Sequence, residues 1–212
     1  MFNKLQYISQ GATADDQLYN VTQALDAGCK WVQLRFKNAK ENDFLKVAIE
    51  VKALCAAANA TFIINDHPHI AKTIDADGVH LGLDDLSVVQ AREIIGNKII
   101  GGTANTLEHV MQRVGEGCDY IGLGPFRFTT TKEKLSPVLG VEGYRKIMEA
   151  LTAKQISIPV YAIGGILPED LAALMQTGIY GVAVSGIITN HSDKKLLLDQ
   201  FNTILYGPVM HS

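Results

Sequence analysis

The sequence predicts a (β/α)8 TIM barrel, an α/β fold in which residues 1–212 form a single domain. Two observations favour it. Eight short runs of β-branched and aromatic residues recur along the chain, and stretches with helical spacing of apolar residues separate them. At 212 residues the chain is short for such a barrel, so its helices must be short. A doubly wound open sheet is the alternative, because strands covered on both faces read as apolar runs in either fold.

The predicted strands are short and end in polar or glycine residues. In chain order they cover 5–9, 31–35, 62–66, 78–82, 98–102, 120–124, 159–164 and 181–186. The clearest helices are predicted at 41–59, 141–154 and 168–176. In the first of these, Phe44, Val47 and Val51 recur at helical spacing. The third begins with Pro168, which suits a first helical turn, and Gly178 follows it as a stop.

Composition excludes several classes of protein. The net charge of −3 gives no basic surface for nucleic acid. No run of about 18 apolar residues predicts a membrane span, and the first ten residues lack the apolar core of a signal peptide. The three cysteines are widely spaced and form no metal-binding pattern, which predicts a reduced, cytoplasmic setting.

The second predicted strand ends in alternating polar residues. Gln33, Arg35 and Lys37 occupy every second position, so an extended chain points them to the same side. In parallel α/β folds ligands collect at the carboxyl ends of strands, where this trio would suit an anionic group. The alternative is a surface edge with solvated charges.

Acidic residues follow the third and fourth strands. Asn65 and Asp66 come directly after an apolar run, and Asp84 and Asp85 follow "HLGL". Mg²⁺ takes few carboxylates and completes its shell with waters and phosphate oxygens, so this pattern predicts a Mg²⁺ cofactor. The alternative for the second pair is a helix N-cap, a position that Asp84 or Ser87 suits, which leaves Asp85 available.

Two further polar residues have two interpretations each. His80 alternates with apolar neighbours in the fourth strand, so it is either a functional group or a hydrogen-bonded histidine of the barrel interior. Thr103, after the fifth strand, either contacts a ligand or begins a helix cap. Capping suits Asn105 or Thr106 better.

The last strands and the loop "GPFRFTTTK" add a second kind of anion site. Glycines at 164–165 and 186 allow backbone N–H groups to approach a phosphate. Hydroxyls at 129–131 and the ammonium of Lys132 would donate to phosphate oxygens, although a solvated polar loop is the alternative. Residues 125–138 form a long polar loop that could close over substrate. Two anion sites suggest a diphosphate and a separate monophosphate.

These motifs together resemble one family. In order, "QLRFK", "INDHPHIAKTIDADGVHLGLDD", "GGT", "GPFRFTTTK", "AIGGI" and "GVAVSGI" are similar to thiamine phosphate synthases, also called thiamine phosphate pyrophosphorylases. The resemblance covers nearly the whole chain. It implies a barrel transferase that joins 4-amino-2-methyl-5-hydroxymethylpyrimidine diphosphate to a thiazole phosphate, with release of pyrophosphate and help from Mg²⁺.

The resemblance also implies a role for each site residue. It makes Asp66 and Asp85 the Mg²⁺ ligands. The residues it assigns to the pyrimidine diphosphate are Gln33, Arg35, Lys37, Asn65, Thr103 and Lys132. The residues it assigns to the thiazole phosphate are Thr129, Thr131, Gly165, Val184 and Ser185. Lys132, Arg35 and Lys37 would be catalytic, because they offset the charge that develops on the departing pyrophosphate.

Three other functions stay open. A thiazole tautomerase on the same barrel would lack parts of the diphosphate and metal apparatus. A phosphosugar isomerase or epimerase would share the glycine-rich ends and would need an acid–base pair. A non-catalytic ligand-binding sensor would not need the intact set of charges. The expected partners are two small-molecule substrates, without nucleic acid or membrane, and a homo-oligomer is possible.

Overall fold

The closed barrel predicted from the sequence is confirmed. The structure, a computed structural model, describes residues 2–128 and 137–207. Its strands are β1 (Leu5–Ile8), β2 (Trp31–Leu34), β3 (Thr61–Asn65), β4 (Gly78–Leu81), β5 (Ile99–Ala104), β6 (Tyr120–Leu123), β7 (Val160–Ile163) and β8 (Gly181–Val184). Each strand pairs in parallel with the next, and β8 pairs with β1, so the sheet closes and has no edge. The doubly wound open sheet is thereby excluded.

Short helices connect the strands, as the chain length requires. They are α1 (Ala14–Asp26), α2 (Glu41–Ala57), α3 (Pro68–Thr73), α4 (Val88–Ile95), α5 (Leu107–Glu116), α6 (Gly140–Ala153), α7 (Leu171–Met175), α8 (Gly186–Asn190) and α9 (Lys194–Tyr206). Helices α8 and α9 both follow β8, and α9 also contacts β1. Within the described residues, none of these helices has the length and apolar character needed to cross a membrane.

The observed boundaries differ from the predicted ones by one or two residues. Helix α2 ends at Ala57 instead of 59, because Asn59 adopts a left-handed backbone with φ of 49°. The helix predicted at 168–176 is divided into a 3₁₀ turn, Pro168–Asp170, and the short α7. The division lies beside Asp170, whose carboxylate accepts the N–H of Leu167.

Side-chain caps settle two of the open alternatives. Ser87 caps α4 through a reciprocal pair with Gln90, so Asp85 is not the cap. Thr106, and not Asn105, caps α5 by accepting the N–H of His109.

The barrel interior has an aromatic lower layer and a polar upper layer. Near the amino ends of the strands, Trp31 contacts the rings of Tyr120 and Tyr161 at centroid distances of 5.0 and 5.1 Å, and Phe2 stacks on it at 5.3 Å. The inward positions nearer the carboxyl ends are polar and almost fully buried: Gln6, Gln33, Asn65, His80 and Thr103. The mouth of the barrel therefore has a rigid polar floor.

The cysteines are free thiols in the structure, and Cys29, Cys55 and Cys118 are all buried. Free thiols fit the reduced compartment expected from their spacing. The cytoplasmic location and the homo-oligomer remain predictions.

Candidate active site

A glutamine on β2 and an asparagine on β3 meet in the floor of the mouth. Gln33 Nε2 donates to Asn65 Oδ1 at 2.7 Å, and Gln33 is only 2% exposed. Gln33 Oε1 is buried and has no hydrogen-bond partner among the described residues. Since nearly all buried polar atoms are satisfied in folded proteins, this oxygen is a candidate acceptor for a ligand donor.

Beside this pair, His80 is part of a buried hydrogen-bonded chain. Its Nδ1 lies 3.1 Å from the hydroxyl of Tyr120, and its Nε2 lies 3.0 Å from Thr103 Oγ1. Gln6 Nε2 donates to the same tyrosine hydroxyl at 3.2 Å. Burial raises the pKa of Tyr120, which therefore stays neutral. His80 is thus the hydrogen-bonded interior histidine that the sequence offered as one interpretation, and it orients Thr103.

Two carboxyl groups meet at the ends of β3 and β4. Asp66 and Asp85 are hydrogen-bonded to each other, and Lys37 Nζ contacts Asp66 Oδ2 at 2.5 Å. Asp85 also accepts the N–H of Gly82 at 2.6 Å. Burial and the neighbouring Asp66 raise the pKa of Asp85 above its usual range. Burial alone would raise the pKa of Asp66, but its bonds to Asp85 and Lys37 outweigh that effect and lower it.

This carboxyl pair fits a divalent cation. Two carboxyl groups so close repel each other when both are ionised, so a cation bound between them would relieve that repulsion. Among the described residues no cluster of three or more His, Cys, Asp or Glu side chains is arranged to hold a metal. Two protein carboxylates are nevertheless enough for Mg²⁺ when substrate phosphates and waters supply the other ligands.

A cavity of about 300 Å³ opens between the loops after β7 and β8, and Arg35 is part of its lining. The backbone of Gly164 and Gly165 is left-handed there, with φ of 90° and 69°, which explains why glycine occupies both positions. The predicted residues that line this cavity are Arg35, Gly165, Val184 and Ser185.

Backbone amides are among the polar groups of this cavity. In the described ranges no acceptor is recorded for the N–H groups of Gly165, Ile166, Gly186 and Ile187, all of which line it. The rest of the lining is largely apolar, with Ile8, Pro125 and Ile163 among its members. Such amides on a largely apolar wall suit a phosphate attached to an apolar ring.

The three residues predicted from alternation after β2 occupy different places. Gln33 is buried in the floor, and β2 ends one residue later, at Leu34. Arg35 is half-buried against the cavity between the loops after β7 and β8, called the amide cavity below, and Lys37 is exposed beside Asp66. All three face the mouth, so the interpretation as a solvated surface edge is wrong for Gln33 and Arg35. The predicted residues Thr129, Thr131 and Lys132, and most of the proposed closing loop, lie outside the described residues.

Sequence reasoning missed some residues that support the site. The hydroxyl of Tyr120 bonds His80 and accepts from Gln6, and the only signal was a polar residue inside the otherwise apolar first strand. Arg127 forms a bidentate ion pair with Asp170 beside the cavity, at 2.8 and 2.9 Å. Nothing in the sequence pairs these two residues, which are 43 positions apart.

The closed barrel, with charged and polar groups collected at the carboxyl ends of its strands, has the layout of a (β/α)8 enzyme. Comparison with known proteins narrows this class. The family profile described as thiamine monophosphate synthase matches residues 5–188. A thiamine-phosphate synthase of Flavobacterium johnsoniae is 57% identical over 211 residues, covering 99% of this chain and all of the relative. One from Bacteroides fragilis is 48% identical over 89% of this chain and 93% of its own length.

A solved structure supports the same family assignment. The thiamine phosphate pyrophosphorylase of Pyrococcus furiosus superposes with a TM-score of 0.84 at 32% identity, over 95% of both chains. The chain belongs to the thiamine monophosphate synthase family. The family resemblance and the transferase activity of thiamine biosynthesis predicted from the motifs are therefore confirmed.

Proposed function

We propose that the mouth of this barrel joins 4-amino-2-methyl-5-hydroxymethylpyrimidine diphosphate to a thiazole phosphate and releases thiamine phosphate and pyrophosphate. The observation that carries this assignment is the meeting of two differently built anion sites at one rim. One consists of Lys37 and the carboxyl pair that would hold Mg²⁺, and the other of backbone amides for which the described residues supply no acceptor. Arg35 joins them, because it lines the amide cavity and interacts electrostatically with Asp66.

The polar floor suits the pyrimidine ring. Gln33 Oε1 is a buried acceptor, and the amino group of an aminopyrimidine is a donor of matching kind. Asn65 holds the Gln33 amide at 2.7 Å, so the acceptor is oriented before the ring arrives. The Thr103 hydroxyl, held by His80, borders the same floor. A ring held by these contacts would have its CH₂–O bond toward the charged rim.

The diphosphate belongs with the cations and the carboxyl pair. Lys37 and Arg35 approach Asp66 from the β2 side, and Lys132 is the further predicted cation. Asp66 and Asp85 would hold Mg²⁺, whose positive charge would reduce the repulsion between the pyrophosphate oxygens. Lys37 is then free to turn from Asp66 to a phosphate oxygen.

The chemistry requires no side-chain nucleophile. The C–O bond to the diphosphate breaks with its electron pair leaving on pyrophosphate, and Lys37, Arg35 and Lys132 donate to that developing charge. The electron-rich aminopyrimidine stabilises the resulting CH₂ cation. The thiazole nitrogen then forms the new C–N bond with its lone pair. The protein contributes positioning and charge stabilisation.

The amide cavity holds the second substrate. The N–H groups of Gly165, Ile166 and Gly186 donate to the thiazole phosphate, and the apolar wall accepts the ring. Thr129 and Thr131 remain the predicted hydroxyl donors from the loop after β6.

One assay tests the reaction. The chain is incubated with both substrates and Mg²⁺, and thiamine phosphate and pyrophosphate are measured in equal amounts. A thiazole tautomerase would instead convert thiazole isomers and leave the pyrimidine diphosphate intact. Formation of neither product would reject the proposal.

The role of Lys132 is tested with a neighbour as control. Lys132→Ala is expected to slow turnover strongly, whereas Lys134→Ala, in the same segment, should retain it. Turnover of Lys132→Ala close to that of the unaltered enzyme would remove Lys132 from the diphosphate site.

A further inference from the structure

Arg127, directly after the Gly124–Pro125–Phe126 stretch, is bound to the glycine-rich turn after β7 through its backbone N–H and its guanidinium. Its backbone N–H donates to Gly164 O at 3.1 Å, and its Nη1 donates to Gly165 O at 2.8 Å. Its guanidinium also forms two hydrogen bonds with the carboxylate of Asp170. Asp170 in turn accepts the N–H of Leu167, at the far end of the same turn.

The side chain of Arg127 also packs on the turn. It lies over the Cα of Gly165, so a Cβ at that position would collide with Arg127 Cγ. The guanidinium lies 5.0 Å from the ring centroid of Phe126, whose own N–H donates to Ile163 O at 2.8 Å. Phe126 and Arg127, at the start of the loop after β6, are therefore joined to the turn after β7 by several contacts.

These bonds determine which way the turn presents its amides. In a planar trans peptide unit the C=O and the N–H point in opposite directions. Because Gly164 O and Gly165 O both point to Arg127, the N–H groups of Gly165 and Ile166 point away from it. Both residues line the cavity after β7 and β8, and neither N–H has an acceptor in the part of the chain that the structure describes.

We propose that Arg127, supported by Asp170, is a positioning residue that holds the Gly164–Gly165 turn with its amides aimed at the thiazole phosphate. Glycines have no side chain to restrict their backbone, so without Arg127 the turn would sample other orientations. Ordering the turn when the phosphate binds would then cost conformational entropy and weaken binding. Arg127 does not itself contact the phosphate, because its guanidinium is engaged by Gly165 O and Asp170. The inference rests on the proposed placement of the thiazole phosphate in this cavity.

Arg127→Met tests the proposal, since it keeps the packing stem and removes the donors. The KM for thiazole phosphate is expected to rise about tenfold or more, because hydrogen bonds from a charged group are lost. The kcat and the KM for the pyrimidine diphosphate should stay within about twofold of the unaltered enzyme. Arg145→Met is the matched control, because Arg145 pairs with Glu142 on the surface of α6 at 2.7 Å.

Arg127→Lys separates positioning from direct contact with phosphate, and it also serves if Arg127→Met does not fold. Lysine keeps the cation but cannot bond Gly165 O and both Asp170 oxygens together. The proposal therefore expects Arg127→Lys to raise the KM for thiazole phosphate nearly as much as Arg127→Met. Retention of the unaltered KM in Arg127→Lys would show a direct phosphate contact and overturn the positioning role. An unchanged KM in a folded Arg127→Met, or equal rises in both KM values, would also overturn it.

Gly165→Ala tests the phosphate placement separately. The added methyl group collides with Arg127 and strains a left-handed residue, so the KM for thiazole phosphate should rise. If Gly165→Ala leaves that KM unchanged, the phosphate site itself is misplaced. If it raises that KM and Arg127→Met does not, only the role of Arg127 fails.

Discussion

Replacing Tyr120 by phenylalanine isolates the hydrogen-bonded chain under the mouth of the barrel. The ring of Tyr120 contacts Trp31 and Tyr161 at centroid distances of 5.0 and 5.5 Å, and phenylalanine keeps both contacts. Only the hydroxyl is lost. That hydroxyl bonds His80 Nδ1 and accepts from Gln6 Nε2, and all three residues are buried.

The expected cost in stability follows from the groups left behind. A buried donor or acceptor that loses its partner costs about 1–3 kcal/mol. Two such groups remain here, on Gln6 and His80, but they can partly rearrange, so a loss of about 2 kcal/mol is expected for Tyr120→Phe. For a chain of this length each kcal/mol lowers the unfolding midpoint by about 2–4 °C, so the midpoint should fall by about 4–8 °C.

Unfolding in guanidinium chloride, together with steady-state kinetics, checks this prediction. Tyr161→Phe is the control, because it also removes one hydroxyl, which donates to Asn3 O at 2.7 Å, below the aromatic layer. Tyr120→Phe should also raise the KM for the pyrimidine diphosphate, because His80 no longer holds Thr103 in place. A stability loss below about 0.5 kcal/mol with unchanged kinetics would refute the role assigned to this chain of hydrogen bonds.

Three further predictions concern the ring site, the metal and the thiols. Gln33→Met should raise the KM for the pyrimidine diphosphate at least about tenfold and leave the KM for thiazole phosphate unchanged. A KM for the pyrimidine diphosphate equal to that of the unaltered enzyme would contradict the ring contact. Removal of divalent ions with a chelator should abolish turnover, and added Mg²⁺ should restore it in the unaltered enzyme but not in Asp66→Asn. Full activity in excess chelator would show that the reaction needs no metal ion. Burial raises the pKa of Cys29 to about 11 and those of Cys55 and Cys118 to about 12. The thiols of the unfolded chain ionise at lower pH, near about 8.5, so the folded state loses stability as the pH rises above that value. The guanidinium chloride concentration at the unfolding midpoint should therefore be lower at pH 10 than at pH 8.

The fold and much of the mouth could be predicted because the relevant signals are local. Apolar runs followed at once by polar residues identify the carboxyl ends of strands, and period-two alternation assigns Gln33 and Asn65 to the interior. In a closed parallel sheet those ends must share one rim. Asp66 and Asp85 thus come together as expected, although they are separated along the chain.

Local patterns in the amino-acid sequence were enough to locate the strand ends and the kinds of side chain at the mouth, and they favoured a barrel over an open sheet; the pairing of β8 with β1 established closure. Only the tertiary structure decided which side chains pair: Gln33 with Asn65, His80 with Tyr120, and Arg127 with Asp170. The reason is physical. Periodicity along one element reports the face on which a side chain lies, whereas a hydrogen bond between elements depends on how loops from separate strands are placed in space, and no local pattern records that distance.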